Sequence, residues 1–392
     1  MHGTWTKAIV AVGLAFSLGA CAPVVTSQSV PPRVVRPAPP VAAREPSRPA
    51  EEAGARVGLL VPLSGPQAEL GQSLLEASQM ALYDLGTNDL ALIPQNTGGT
   101  PTRAAEAARA AIDDGARLLI GPVFGAELEA VRPVAAARHV PVLSLSNNSR
   151  LADGNNFILG FTPGEQVARV LGFAKGRGAQ RVAALIPSSP YGEAVMDSLA
   201  QTTVHLGLDL VRVDRYAPEA DAGATAQAFL AELAAAGGAD AVLLPDGGAK
   251  LKALAEALVA TGLDVQSTKL LGTALWEGAG PALAGGWYAG YDQTQRRAFN
   301  ARFARSYGHS PAPIASLAYD ATALAAVLAK NGGGDYPVAR LADAKGFAGV
   351  DGVFRLRPTG QVERGLAVFS VTAAGTGELL DPAPRSFISP GQ

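Results

Sequence analysis

RLLIGPVFGAELEAVRPVAAARHVPVLSLSNN, running from Arg117 to Asn148, is the stretch that decides the fold class. Leu118, Leu119, Ile120 and Val123 make a short apolar run, a helical pattern covers Ala126 to Arg138, and Val140-Pro141-Val142-Leu143 begins a second apolar run. This is a β-α-β unit, and short unalternated apolar runs are expected of strands buried on both faces of a parallel sheet. Each strand ends in a loop suited to a cleft. Gly121-Pro122 turns the chain after the first, and Ser144, Ser146, Asn147 and Asn148 cluster after the second. Open α/β sheets bind ligands at such carboxyl ends, while Ser and Asn also make turns and helix caps, so both uses stay open for this cluster.

The same alternation extends in both directions. Val57 to Val61 is a buried strand, Pro62-Leu63-Ser64-Gly65-Pro66 a loop, Ala68 to Asp84 a helix, Leu90 to Pro94 a strand, and Thr102 to Asp113 a helix. After Asn156 the pattern restarts. Strands are predicted at 157–161, 181–186, 208–213, 241–244 and 269–272, with helices at 164–175, 191–205, 224–236 and 250–261 between them. Joining all of these in one sheet would need about ten strands, the upper limit for a strongly twisted sheet, so a second doubly wound lobe is expected. Helices follow at 294–307 and 314–329, and the alternation from Asp351 to Thr372 predicts a hairpin turning at Pro358-Thr359-Gly360-Gln361.

Residues 1–21 have the shape of an export signal, with Lys7, an apolar stretch from Ala8 to Ala20, and Cys21, the chain's one cysteine. Leu18-Gly19-Ala20-Cys21 resembles the bacterial lipobox, which implies lipidation of Cys21 and anchoring to a membrane. Ala22 stands where an inner-membrane retention signal would have Asp, so the resemblance implies the outer membrane. Residues 22–55, rich in Pro, Val, Ala and Arg, are expected to form a disordered tether. At about 3.1 Å per residue, some 33 polyproline-like residues reach roughly 100 Å.

Several chemistries lack their signatures. The formal charge is −2 with no basic cluster in the folded part, against nucleic-acid binding. His139, His205 and His309 stand alone, without the pairs that zinc sites show. There is no nucleophile elbow, P-loop or dinucleotide fingerprint; Asp246-Gly247-Gly248-Ala249-Lys250 lacks the Walker spacing, and Gly332-Gly333-Gly334 is best placed as a helix stop. No cofactor, metal or catalytic group is expected.

VGLLVPLSGPQAELGQSLLEASQMAL, the opening stretch, VAALIPSSPYGEAV, LLGTALWE and SLAYDATALAAVL together resemble the type I periplasmic-binding fold, in the branch of the branched-chain amino-acid receptors. The likeness spans roughly residues 56–380. More narrowly, GPVFGAELEAV with VPVLSLSNN, LLGTALWE and SLAYDA resemble the penicillin-binding protein activator lipoproteins, outer-membrane proteins that stimulate peptidoglycan synthases. The resemblance implies two doubly wound parallel-sheet lobes joined by a hinge crossed three times. The first lobe would combine 56–160 with 290–335 and the second 161–289 with 336–382, leaving 383–392 as a flexible tail.

In the amino-acid receptors, hydroxyl and backbone groups after the two strands of the opening stretch hold the ligand's carboxylate and ammonium. This chain carries Val123, Phe124, Gly125 and Ala126 where those receptors have serines, but keeps Ser144 and Ser146 and adds Asn147 and Asn148. Tyr191 matches the family's second-lobe loop, and Trp276 follows a strand facing the cleft, there either to close over a ligand or to fill a contact. Ser64 completes the candidate set. Lost hydroxyls favour a protein partner, a peptidoglycan synthase, over a free amino acid, because apolar groups cannot satisfy a buried carboxylate. The alternative is a solute receptor for an ABC transporter with a small amino-acid-like ligand.

Overall fold

The computed structural model describes residues 54–331 and 333–387. Cys21, the export signal, the tether as far as residue 53, and 388–392 lie outside the described residues.

The first series is β1 (Ala55–Val61), α1 (Ala68–Leu85), β2 (Leu90–Asn96), α2 (Pro101–Asp113), β3 (Leu118–Ile120), α3 (Gly125–Ala137), β4 (Val142–Ser144) and β5 (Asn156–Ile158). Its strands form one parallel sheet in the order β2-β1-β3-β4-β5. The last residue of the expected tether, Ala55, is the first of β1 and pairs with Leu90, so this strand begins slightly earlier than the apolar run suggested.

The second series is α4 (Pro163–Gly176), β6 (Arg181–Pro187), α5 (Pro190–Leu206), β7 (Asp209–Tyr216), α6 (Ala222–Ala235), β8 (Ala241–Leu243), α7 (Gly248–Ala260), β9 (Lys269–Gly272) and β10 (Trp287–Gly290). The chain then returns to the first lobe with α8 (Gln293–Tyr307), α9 (Ala315–Lys330), the short α10 (Val338–Leu341) and a small sheet of β11 (Phe347–Gly349), β12 (Gly352–Leu356) and β13 (Val362–Arg364). It ends on the second lobe with β14 (Ala367–Val371) and β15 (Gly377–Asp381). The second sheet runs β15-β14-β10-β9-β8-β6-β7, with the last hairpin antiparallel to the parallel remainder.

Each large sheet is covered on both faces. Val57, Leu59, Leu118, Ile120 and Phe157 pack with Leu74 and Leu317 on one side of the first sheet, while Leu60, Leu119 and Val142 pack with Leu128 and Ala108 on the other. The second sheet is buried the same way around Leu185, Val242 and Trp276, and around Val182, Ala184 and Leu271. At roughly 25 cal/mol per Å², such two-sided burial is the main force holding each lobe together.

Two sequence expectations are corrected. Residues 336–364 were placed on the second lobe, yet Tyr336, Leu341, Val350, Phe354 and Leu356 bury their side chains in the core of the first. The alternation from Asp351 to Thr372 is also not one hairpin. Its first half is the β12–β13 hairpin, and its second half leaves at Gly365 to become β14 beside β10. A period of two tells which residues share a face but not which sheet receives them. Of the expected tail, Pro384 lies against Gly365, and the Phe387 ring stands 4.6 Å from the Arg355 guanidinium.

The chain crosses between lobes at 159–162, 291–292 and 365–366. Strand order reverses beside β1 in one sheet and beside β6 in the other, and crevices at such points open at the strands' carboxyl ends.

Candidate functional site

On the first-lobe wall, short-range hydrogen bonds absorb most of the candidate hydroxyls. Half-buried Ser64 accepts from Asn96 Nδ2 at 2.8 Å, and Asn96 Oδ1 accepts from Leu63 and Gly98 N–H at 2.9 Å each, which ties the loops after β1 and β2 together. Ser144 is fully buried; its Oγ donates to Pro122 O at 3.0 Å and accepts from Ser146 N–H at 3.2 Å. Ser146 Oγ accepts from Asn148 N–H at 3.2 Å, and Asn148 Oδ1 accepts from Arg150 N–H at 3.3 Å to cap the turn at Ser149–Leu151. Both serines thus shape the loop and present nothing to solvent, so as ligand hydroxyls they are corrected. Asn147 and Asn148 at its tip remain accessible.

The loop after β3 is committed in a similar way. Phe124 N–H donates to Glu127 Oε2 at 3.2 Å, so a carboxylate of the chain itself occupies a backbone donor at this strand end. Burial pushes the Glu127 carboxyl up from its ordinary range, against hydrogen bonds from Thr97 and from Phe124 and Val123 N–H. Gly125 lies close to Asn148, since a Cβ there would stand 3.4 Å from Asn148 Nδ2.

The second-lobe wall is built after β6 and β7. Ser189 caps α5 by accepting from Gly192 N–H at 3.1 Å. Tyr191 Oη and Thr273 Oγ1 share a hydrogen bond of 2.9 Å, and burial pushes the Tyr191 phenol up to about 12. Arg215, at the end of β7, pairs with Glu193 at 2.6 Å.

Between the walls lies a cleft of about 660 Å³. Asn147, Asn148 and Arg150 line it from the first lobe, and Ser188, Ser189, Tyr191, Glu193 and Arg215 from the second. A second cavity of about 360 Å³ lies on the far side of Arg150, bordered by Thr162, Asp197 and Glu363. Arg150 reaches across from the first lobe to Asp197 on α5, with Nη2 at 2.6 Å and Nε at 2.9 Å from one carboxylate oxygen.

Three of the sequence candidates, Asn147, Asn148 and Tyr191, therefore meet on one cleft. Ser64 and Phe124 belong to adjoining loops and Gly125 opens α3, and none of them is among its lining. Trp276 as a cleft residue is corrected, and it fills a contact instead: it is 1% exposed in the second-lobe core, donates from Nε1 to Leu244 O at 2.9 Å, and lines neither cavity. Sequence reasoning missed Arg150, Ser188, Ser189, Glu193 and Arg215. Ser188-Ser189 could have been found, because it follows a buried strand just as the Ser/Asn cluster does. Nothing in the sequence around Arg215 marks it.

The sequence pattern described as periplasmic binding protein matches residues 54–376, nearly all of the described chain. The chain belongs to the periplasmic binding protein family. Solved structures agree with this fold. A Rhodospirillum rubrum protein described as belonging to a branched-chain amino acid ABC transporter is 19% identical, with a TM-score of 0.73, covering 83% of this binding protein and 100% of that chain. A solute-binding protein of a Rhodopseudomonas palustris ABC transporter, solved with 3,4-dihydroxybenzoic acid, is 20% identical with a TM-score of 0.57, covering 85% and 99% of the two chains. An uncharacterised Rickettsia prowazekii protein is 20% identical over 166 residues, 42% of this chain. The match to that curated relative spans 44% of its length.

Proposed function

We propose that this periplasmic binding protein is a non-catalytic receptor for a small organic carboxylate, which it takes into the cleft between its lobes in service of an ABC transporter. The observation that carries this reading is the cleft of about 660 Å³ with polar and charged side chains facing it from both lobes. A ligand touching Asn147, Asn148 and Arg150 on one side and Ser188, Tyr191 and Arg215 on the other binds best when the lobes approach, which couples occupancy to conformation. Arg150 and Arg215 already pair with Asp197 and Glu193, and each five-donor guanidinium keeps further N–H groups that match a ligand carboxylate. Relatives of similar fold are named for branched-chain amino acids or were solved with a hydroxylated benzoate, and both ligand types carry a carboxylate. The protein would act in the periplasm, held to a membrane through Cys21.

One observation favours a second reading, that of an outer-membrane lipoprotein activating a peptidoglycan synthase. Ser144 and Ser146 hydroxyls are spent within their own loop and Glu127 occupies Phe124 N–H, so the amino-acid pocket of the first lobe is depleted. The test is calorimetric titration of protein stripped by unfolding and refolding, against branched-chain amino acids and hydroxybenzoates. Heat that saturates at one equivalent, and that needs a much higher ligand concentration in Arg215→Ala, supports the receptor. No heat from any carboxylate, together with a faster reaction when a purified penicillin-binding protein is mixed with the full lipoprotein, replaces it with the activator.

A further inference from the structure

The three crossings between lobes meet in one buried polar cluster. Phe161 comes from the first crossing, Tyr291 from the second, and Arg364 directly precedes the third. The guanidinium groups of Arg364 and Arg296 each stand 5.1 Å from the Phe161 ring centre, and the Tyr291 ring lies 4.6 Å from Phe161. Arg296 is also bonded to Asp351 at 2.5 Å, and Arg364 Nη2 donates to Leu159 O at 2.5 Å. Both arginines are thereby fixed to the first lobe and its edge.

Glu165 enters this cluster from the other lobe, on the first turn of α4. Its side chain is 6% exposed and that of Arg364 is 2%, yet Glu165 Oε1 and Arg364 Nε are 3.6 Å apart. That is about 0.8 Å longer than a charge-assisted hydrogen bond. Arg364 Nε and the Tyr291 hydroxyl have no hydrogen-bond partner among the described residues, and the Glu165 oxygens have none of good geometry, with only a weak backbone contact from Thr162 N–H. Buried donors and acceptors are rarely left so, and here complementary ones stand almost within reach on opposite sides of the hinge.

We propose that Glu165 and Arg364 form a charge-gated hinge: ionising Glu165 draws the two side chains into a full ion pair and, because they belong to different lobes, changes the resting angle between the lobes. Burial holds the Glu165 carboxyl up to about 8, with Arg364 and the Thr162 N–H pulling it down and Glu363 pushing it further up. The other charged or titratable groups around the cluster are Tyr291 on the second crossing, Arg296 on α8, and Asp351 ahead of β12. Asp320, on α9, is a second buried carboxyl held up to about 8, but it accepts two hydrogen bonds from Val350 N–H within the first lobe and does not bridge the hinge.

The hinge is tested without any ligand, so its failure is separate from failure of the receptor reading. Spin labels are attached to the full chain carrying Cys21→Ser, Glu106→Cys on α2 and Glu256→Cys on α7, both exposed positions on different lobes. Inter-label distances are measured by pulsed electron resonance at pH 6 and pH 9. The expected result is a distribution that shifts between the two pH values, with Glu165→Gln showing the pH 6 distribution at both and Asp320→Asn shifting like the parent. A parent distribution identical at pH 6 and pH 9 overturns the proposal even if Glu165→Gln does not fold. A shift that persists in Glu165→Gln overturns it as well.

Discussion

Replacing Trp276 by alanine separates a core role from a cleft role. The indole lies between Gly272 and Gly286, where added Cβ atoms would come within 2.1 Å and 2.7 Å of its ring, and its Nε1 bonds Leu244 O in a fully buried setting. Truncating a buried Trp typically costs about 3–5 kcal/mol, and Leu244 O keeps a second donor, Asp246 N–H at 3.0 Å, so no carbonyl is stranded. A loss of about 4 kcal/mol is therefore expected. With an unfolding entropy of about 2.1 cal/mol/K per residue over some 330 described residues, the melting midpoint should fall by about 6 °C. Thermal unfolding followed by circular dichroism measures this, and calorimetry on the folded variant below its midpoint measures affinity for a carboxylate ligand. Stability should drop while affinity stays near the parent value. A variant that melts within a degree or two of the parent but binds its ligand at least tenfold more weakly would refute the core assignment and return Trp276 to the cleft.

Other outcomes follow from the same contacts. Gly160→Ala should be destabilised by about 1–3 kcal/mol and bind ligand less well, because its Cβ would stand 2.2 Å from Ser146 O in the backbone leading to Asn147 and Asn148; urea denaturation and calorimetry read both effects. Asp320 holds its proton in the folded protein to about pH 8 but loses it near pH 4 when unfolded, so the unfolded state binds fewer protons in between. Stability from this group is present below about pH 4 and falls as pH rises to about 8; urea midpoints of Asp320→Asn should decline less than those of the parent across that window. Asp197→Asn removes an ion pair whose side chains are 63% and 49% exposed and screened by solvent, so the urea midpoint should stay close to that of the parent. Arg215→Ala should melt near the parent temperature yet weaken carboxylate binding about tenfold or more by calorimetry.

How much of this was legible in the sequence depended on the range of the interaction concerned. The opening stretch predicted strand, helix and strand, and the structure has β3, α3 and β4 at 118–120, 125–137 and 142–144, because burial on both faces leaves an apolar run that any window detects. The presence of a second lobe was legible too, since a single sheet cannot hold so many strands without curling or splitting. At the site, Asn147 and Asn148 stood out because open α/β sheets bind ligands at the carboxyl ends of their strands, and Tyr191 stood out through the family resemblance alone.

The sequence by itself determined the α/β class, the two-lobed repeat and the positions of the cleft loops, all of which follow from local periodicity and turn chemistry. Only the tertiary structure decided which polar groups in those loops are free. Ser144 and Asn148 look alike as residues, but Ser144 Oγ turns inward onto Pro122 O while Asn148 lies at the cleft surface. The assignment of 336–364 to the first lobe, the burial of Trp276, the reach of Arg150 to Asp197 and the meeting of Glu165 with Arg364 each join residues dozens to hundreds of positions apart or depend on which way a side chain faces. Such pairings are selected by packing and electrostatics once the chain has folded, and no short-range pattern encodes them.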